Sequence, residues 1–186
     1  MKDVDKGQYG YIEYRKKMQI IKVLVMLIII LALLIAGMII HGTRNNICTV
    51  IAVVCVLPMA KFLVTLLVVI KHKKPDEAQY EELKKVGENL VLLSDCIMSC
   101  KDKVLYVDFA VVTDTCIYCH TEDDKFDTAY FEKNVAEFIK SCGDTVNVKL
   151  FKDYEGFKKR ILALSNVECK EKKTERVKND FLILVI

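Results

Sequence analysis

The sequence predicts a two-helix transmembrane hairpin followed by a small α/β (α+β) cytosolic domain with a mixed sheet, in the order αβββαβαβ. Three observations carry this fold class. Val23 to Ile40 is a run of 18 residues without a charge, Ile47 to Ile70 is a run of 24 broken only by Pro58 and Lys61, and capped amphipathic segments alternate with short apolar ones from residue 76 onward. A helix crosses the ~30 Å hydrocarbon core with about 20 apolar residues, so each run is long enough to span. The domains expected are a cytosolic N-terminal segment (1–19), the hairpin (20–70, spans 20–40 and 47–70), a linker (71–75) and the α/β domain (76–186).

The first run follows Arg15, Lys16, Lys17 and Lys22, as the core of a secretory signal would. It stays apolar through Ala36-Gly37-Met38-Ile39-Ile40 instead of turning polar at a cleavage site, which favours an uncleaved anchor. Tyr9, Tyr11 and Tyr14 precede it, where amphipathic rings suit the headgroup layer. His41 to Asn46 (HGTRNN) has the length of a hairpin tip. Ala32 and Ala36 give the first span a small-xxx-small face for packing on the second.

Lysine and arginine set the orientation. Six precede the first span, the tip holds Arg44, and Lys71, Lys73 and Lys74 follow the second span, so both termini are expected to be cytoplasmic in a multi-pass cell-membrane protein. The six cysteines from residue 71 onward then lie in a reducing compartment, as thiols or metal ligands. Residues 71–186 carry 20 basic and 22 acidic side chains, so the net charge of +3 belongs to the membrane-proximal parts. A slightly acidic domain has no electrostatic reason to track nucleic acid. The expected partners are the lipid bilayer and a protein partner or a second copy of the chain.

Within the domain, Pro75 opens a helix with acids early, lysines late and Gly87 as its terminator. Leu90 to Cys100, Val104 to Val112 and Cys116 to Thr121 read as three strands joined by the turns Lys101-Asp102-Lys103 and Thr113-Asp114-Thr115. Asp127 caps a helix to Cys142, closed by Gly143, with Phe131, Val135, Phe138, Ile139 and Cys142 on one stripe. Val146 to Phe151 alternates as a strand, and Asp153 caps a shorter helix carrying Tyr154, Phe157, Ile161 and Leu164. The charged run Glu168 to Lys178 reads as a solvated loop or helix face. Phe181 to Ile186 (FLILVI), too short to span, reads as a terminal strand completing the sheet.

Cys116-Ile117-Tyr118-Cys119-His120 has the spacing that attaches a c-type haem. On a strand, successive side chains face opposite ways, so Cys116, Tyr118 and His120 share one face and Ile117 and Cys119 the other, which disfavours convergence on one haem. Cys96, Cys100, Cys116 and Cys119 form C-x3-C-x15-C-x2-C, near the spacing of a four-thiolate zinc site. The intervening Ile97-Met98-Ser99 and Ile117-Tyr118 are strand material, however, and buried free cysteines pack as small hydrophobes. No cofactor is expected, with zinc or another divalent metal as the alternative.

The stretches GYIEYRKK, HGTRNN, PMAK and VDFAVV together resemble a family of small uncharacterised two-span bacterial membrane proteins, sometimes labelled O-linked GlcNAc transferase-like. The resemblance covers nearly the whole chain and implies the same hairpin and cytosolic domain. The label's activity is not implied, because the chain has no tetratricopeptide period. VDFAVVTDTCIYCHTED is similar to the segment of nuclease-related, restriction-endonuclease-like domains in which an Asp on one strand and Glu-x-Lys on the next bind a divalent metal. Asp108 fills the first position. The next two fall on Thr121 and Asp123, with Glu122 one place out, so Asp108, Glu122 and Asp123 are the candidate catalytic residues of a metal-dependent hydrolase.

Lys61 lies near the middle of the second run, about 14 Å by helix rise from Ile70, with Pro58 three residues earlier. An intramembrane ionisable residue is a functional candidate, and the first span offers no acid to pair with it. The function expected is a membrane-anchored, non-enzymatic module that binds a ligand or protein; the metal-dependent hydrolase is the alternative.

Overall fold

The computed structural model of the chain describes residues 4–41, 47–101, 103–123, 126–165 and 169–186. The expected hairpin tip falls largely on 42–46, outside the described residues, as do Asp102, Asp124 and Glu168. Two compact units result. One is Glu13–His72; the other joins the described residues up to Ile12 with Lys73–Ile186.

The first unit holds most of α1 (Tyr11–His41) and all of α2 (Ile47–Ile70), both long and apolar enough to cross a membrane. Only 11% and 6% of their most apolar windows are buried. A core helix of a soluble protein would bury most of that surface, so the apolar faces look outward here. Helix α2 runs unbroken through Pro58. The small residues that become buried are Gly37 and Ala52, while Ala32 is exposed and Ala36 half-buried, which moves the close-packing positions from those expected.

In the second unit, α3 (Glu77–Val86) starts at Asp76, whose carboxylate accepts the Ala78 N–H at 3.0 Å. It ends where the Gly87 N–H reaches the Leu83 carbonyl, and its first-turn acid and last-turn lysines complement the macrodipole. Strands β1 (Val91–Cys100), β2 (Lys103–Val112), β3 (Cys116–His120) and β4 (Asn147–Phe151) form one mixed sheet in the order β1-β2-β3-β4. The first two pairings are antiparallel. The third is parallel, and α4 (Thr128–Ser141) makes the crossover that a parallel pair requires.

Leu83 of α3, Phe157 and Ile161 of α5 (Tyr154–Leu164), and Phe109, Val111 and Tyr118 of the sheet form one buried cluster. Helix α4 buries Phe131, Val135 and Ile139 of the expected stripe, while Phe138 is half-buried and Cys142, at its C-cap, is exposed. Each such side chain contributes roughly 1.5–3 kcal/mol by leaving water, so a few of them match a small domain's net stability.

The terminal strand is corrected. Phe181 to Ile183 end a helix, α6 (Glu171–Ile183), and the order after the hairpin is αβββαβαα. The physical reason is periodicity: Thr174, Val177 and Phe181 recur at helical spacing through the charged run and are all buried. The first half of the apolar hexapeptide thus extends an amphipathic stripe that begins at Thr174, seven residues before Phe181. Only the tail beyond α6 behaves like a strand. Val185 bridges Met98 in antiparallel sense, the Ser99 N–H donates to the Leu184 carbonyl (3.0 Å), and the Ile186 N–H donates to the Ile97 carbonyl (2.9 Å).

The N-terminal segment is corrected too. Its described residues up to Ile12 belong to the α/β unit, and residues 13–19 belong to the hairpin unit. The Ser94 N–H donates to the Gly7 carbonyl (2.8 Å), Lys6 Nζ donates to the Val185 carbonyl, and Tyr11 Oη donates to the Ile186 carbonyl (3.1 Å). Tyr9 stacks on Tyr80 with centroids 4.5 Å apart, so Tyr9 and Tyr11 both contribute to the domain's packing. Gly7 has φ +81°, and a Cβ there would come within 2.9 Å of Leu93 Cδ2. Residues from both ends of the chain therefore cover the outer edge of β1, which would otherwise offer unpaired donors and acceptors.

Candidate functional site

Asp95 sits inside an otherwise apolar strand. The rungs Ser94↔Phe109 and Cys96↔Val107 bracket it, which places Asp95 opposite Asp108 on the neighbouring strand. Both are buried, Asp95 wholly and Asp108 to 7% exposure. Two carboxylates on one buried rung repel, and each is held by donors. Asp95 Oδ2 accepts the Gly10 N–H at 2.5 Å and Oδ1 accepts the Tyr106 O–H at 3.3 Å. Asp108 Oδ2 accepts the Glu122 N–H at 2.8 Å.

Burial pushes the Asp108 carboxyl from 3.8 up to about 6; the Glu122 N–H opposes the shift, and the Glu122 and Asp95 charges add to it. Burial likewise raises the Tyr106 hydroxyl, with further upward pushes from Asp95 and Asp108, so it stays a donor. Asp95 also has a left-handed backbone, φ 57°. Strain of this kind at a buried charged residue is characteristic of functional positions.

Among the expected catalytic residues, Asp108 is thus interior, while the Glu122 and Asp123 side chains are exposed. Strand β3 ends at His120, and Glu122 meets Asp108 through its backbone N–H and not as a second carboxylate ligand. Among the described residues, no group of three or more His, Cys, Asp or Glu is placed to hold a metal ion.

The sulfurs divide as strand alternation dictates. Cys116 packs against the cluster containing Phe109 and Tyr118, whereas the fully buried Cys119 feels Cys96, Cys100 and Glu132. Cys96, Cys100 and Cys119 are all raised, chiefly by burial, and remain protonated thiols, with Cys96 Sγ donating to the Ser94 carbonyl at 3.4 Å. The four cysteines do not converge. His120 is 1% exposed, its Nδ1 lies 3.1 Å from the Phe151 carbonyl, and its ring stacks on Phe157 at 5.6 Å. Burial lowers its pKa and keeps it neutral. Its Nε2 is enclosed without a hydrogen-bond partner among the described residues, and a haem plane has no access to it.

A cleft of about 650 Å³ opens elsewhere in the α/β unit. Leu90, Val91 and Val112 give it an apolar floor, and Glu171, Glu175 and Lys178 project from α6 at helical spacing along its rim. Thr174 also lines it; its residue is 5% exposed, and its Oγ1 has no partner among the described residues. The lining is thus more polar than apolar, with carboxylates and an ammonium beside three aliphatic side chains, which suits a small polar ligand. Sequence reading passed over α6 because a charged run resembles a solvated face; its signal was the Thr174, Val177, Phe181 stripe. Asp95 was legible as a lone acid in LVLLSDCIMSC.

No protein-family model, curated protein or solved structure matches this chain. The site must be read from its own geometry.

Proposed function

We propose that the protein is a two-span membrane protein whose α/β domain is a non-enzymatic binding module on the cytoplasmic side, with the cleft along α6 taking a small polar ligand. One observation carries the membrane arrangement. The segment leading into α1, up to its first residue, is hydrogen-bonded into the domain after α2, through Gly10 to Asp95 and Tyr11 to Ile186. Those contacts support a reading in which both segments lie on the same side of the bilayer and the N-terminus is retained. Two crossings fit that reading, and a cleaved signal does not. The lysine and arginine bias supports the cytoplasmic side.

The cleft supports the binding role because its α6 rim offers two carboxylates and an ammonium to a ligand with charges of both signs. The hydrolase reading finds less support, since Glu122 and Asp123 turn their side chains to solvent. Topology is tested by reporters at residue 44 and at the C-terminus; an external C-terminus overturns the arrangement. Binding is tested by thermal shift of the full chain in detergent against amino acids, nucleotides and Mn²⁺. A shift by a small zwitterion that is lost in Ser165→Trp, at a position lining the cleft, supports the module. A Mn²⁺ shift lost in Asp108→Asn supports the hydrolase instead.

A further inference from the structure

By sequence, Lys61 is near the middle of an apolar span. The hairpin places it differently. Lys22 Nζ lies 5.9 Å from the centroid of the Phe62 ring, and Lys16 Nζ donates to the His72 carbonyl, so the two helices run antiparallel with Lys22 level with Phe62 and its neighbour Lys61. Lys22 ends the charged part of α1, and the uncharged run begins at Val23. The two ammonium groups therefore share one level of the hairpin. Both side chains are exposed, and neither has a carboxylate partner among the described residues. The sequence holds no acid between Glu13 and Asp76, so a second copy of the hairpin cannot neutralise them from within its spans.

We propose that the Lys22–Lys61 level is a binding belt for the phosphates of anionic phospholipids in the cytoplasmic leaflet. The proposal rests on the membrane-spanning reading above. An unpaired ammonium is among the costliest groups in hydrocarbon, and two at one depth with no counter-ion compound the cost. At the phosphate level both are instead attracted to lipid. Geometry agrees: from this level to the tip, Val23 to Ile40 rises about 27 Å, close to the thickness of the hydrocarbon core. On the other side of the level α1 adds Arg15, Lys16 and Lys17, and Lys71 follows α2. The exposed Leu63, Val64, Leu67 and Ile70 of α2 then lie in the interfacial layer, where lysine stems and apolar side chains coexist.

The chain has no tryptophan, so a single one reports depth. Full-length Phe62→Trp and Leu57→Trp are placed in vesicles containing phosphatidylglycerol and lipids brominated either near the headgroup or near the chain ends. The belt predicts that Phe62→Trp is quenched most by bromine near the headgroup and Leu57→Trp by deeper bromine. Strongest quenching of Phe62→Trp by chain-end bromine overturns it. In nanodiscs of mixed phosphatidylglycerol and phosphatidylcholine, the wild type is expected to enrich phosphatidylglycerol several-fold among its retained lipids, and Lys22→Gln/Lys61→Gln to lose most of that enrichment. Equal enrichment in the double variant overturns the belt, as does displacement of the lipid by inorganic phosphate. If neither tryptophan is quenched by any bromine, the spanning reading fails as well, which is a distinct result.

Discussion

The hairpin and the α/β unit place charge in opposite ways. In the hairpin the apolar side chains look outward, with Ile28, Ile39 and Leu57 all more than 60% exposed, and the cations of α1 cluster towards one end. In the α/β unit, phenylalanines fill the interior and two carboxylates, Asp95 and Asp108, are enclosed with them. The difference lies in what each unit must satisfy. A helix bonds its own backbone and can show any apolar face to lipid. A sheet has edges and rungs, so a buried polar group on it must be matched by a specific donor, and here some donors come from the distant N-terminal segment.

The largest effect separating the two should come from Phe181→Ala in the full chain. Phe181 is fully buried on α6, and such a truncation costs about 3–5 kcal/mol. The α/β unit should melt at much lower denaturant by circular dichroism while the hairpin's helicity persists. Loss of both signals together would break the comparison, because it would make the two units one cooperative body.

Next in size is Asp95→Ala. It removes the acceptor of the Gly10 N–H and the Tyr106 O–H and leaves an alanine at φ 57°. A cost of about 2–3 kcal/mol is expected, with protease cleavage appearing within residues 4–12. Asp95→Asn keeps an acceptor and tolerates that backbone, so it should cleave far more slowly. Equal cleavage of the two variants would show that the Asp95 acceptor does not hold the N-terminal segment in place.

Asp108→Asn should move in the other direction. The folded state raises this carboxyl from 3.8 to about 6, so it holds a proton that the unfolded chain gives up in between. The group therefore gains stability as pH falls through 6 and costs stability above it, at most on the order of 3 kcal/mol. The amide can still accept the Glu122 N–H without charge. Asp108→Asn should raise the melting point at pH 7.5 and lose that advantage near pH 4. No gain at pH 7.5 would mean that Asp108 is ionised without penalty.

The smallest effect is the pH slope left in Asp108→Asn. The folded state lowers His120 from 6.5, so its contribution is complete above that value and is lost as pH falls through it. In the wild type Asp108 opposes this loss. The variant should therefore lose stability more steeply between pH 7 and 5, and the double variant with His120→Phe should flatten the slope.

Much of this molecule was legible in the sequence because the relevant physics is local. Run length identified two helices long enough to span, Pro75 and the caps Asp127 and Asp153 marked three helix starts, and alternation located the four strands and split Cys116 from Cys119. Tertiary structure decided what depends on distant partners. The hexapeptide at the C-terminus became helix and edge cover because a stripe beginning at Thr174 reaches a buried place for Phe181. Asp95 and Asp108 meet only through strand register, and Gly10 reaches Asp95 from 85 residues away. Lys61 reads as mid-span along the chain and level with Lys22 in the hairpin, because depth is set by which residues lie side by side and not by counting along one helix.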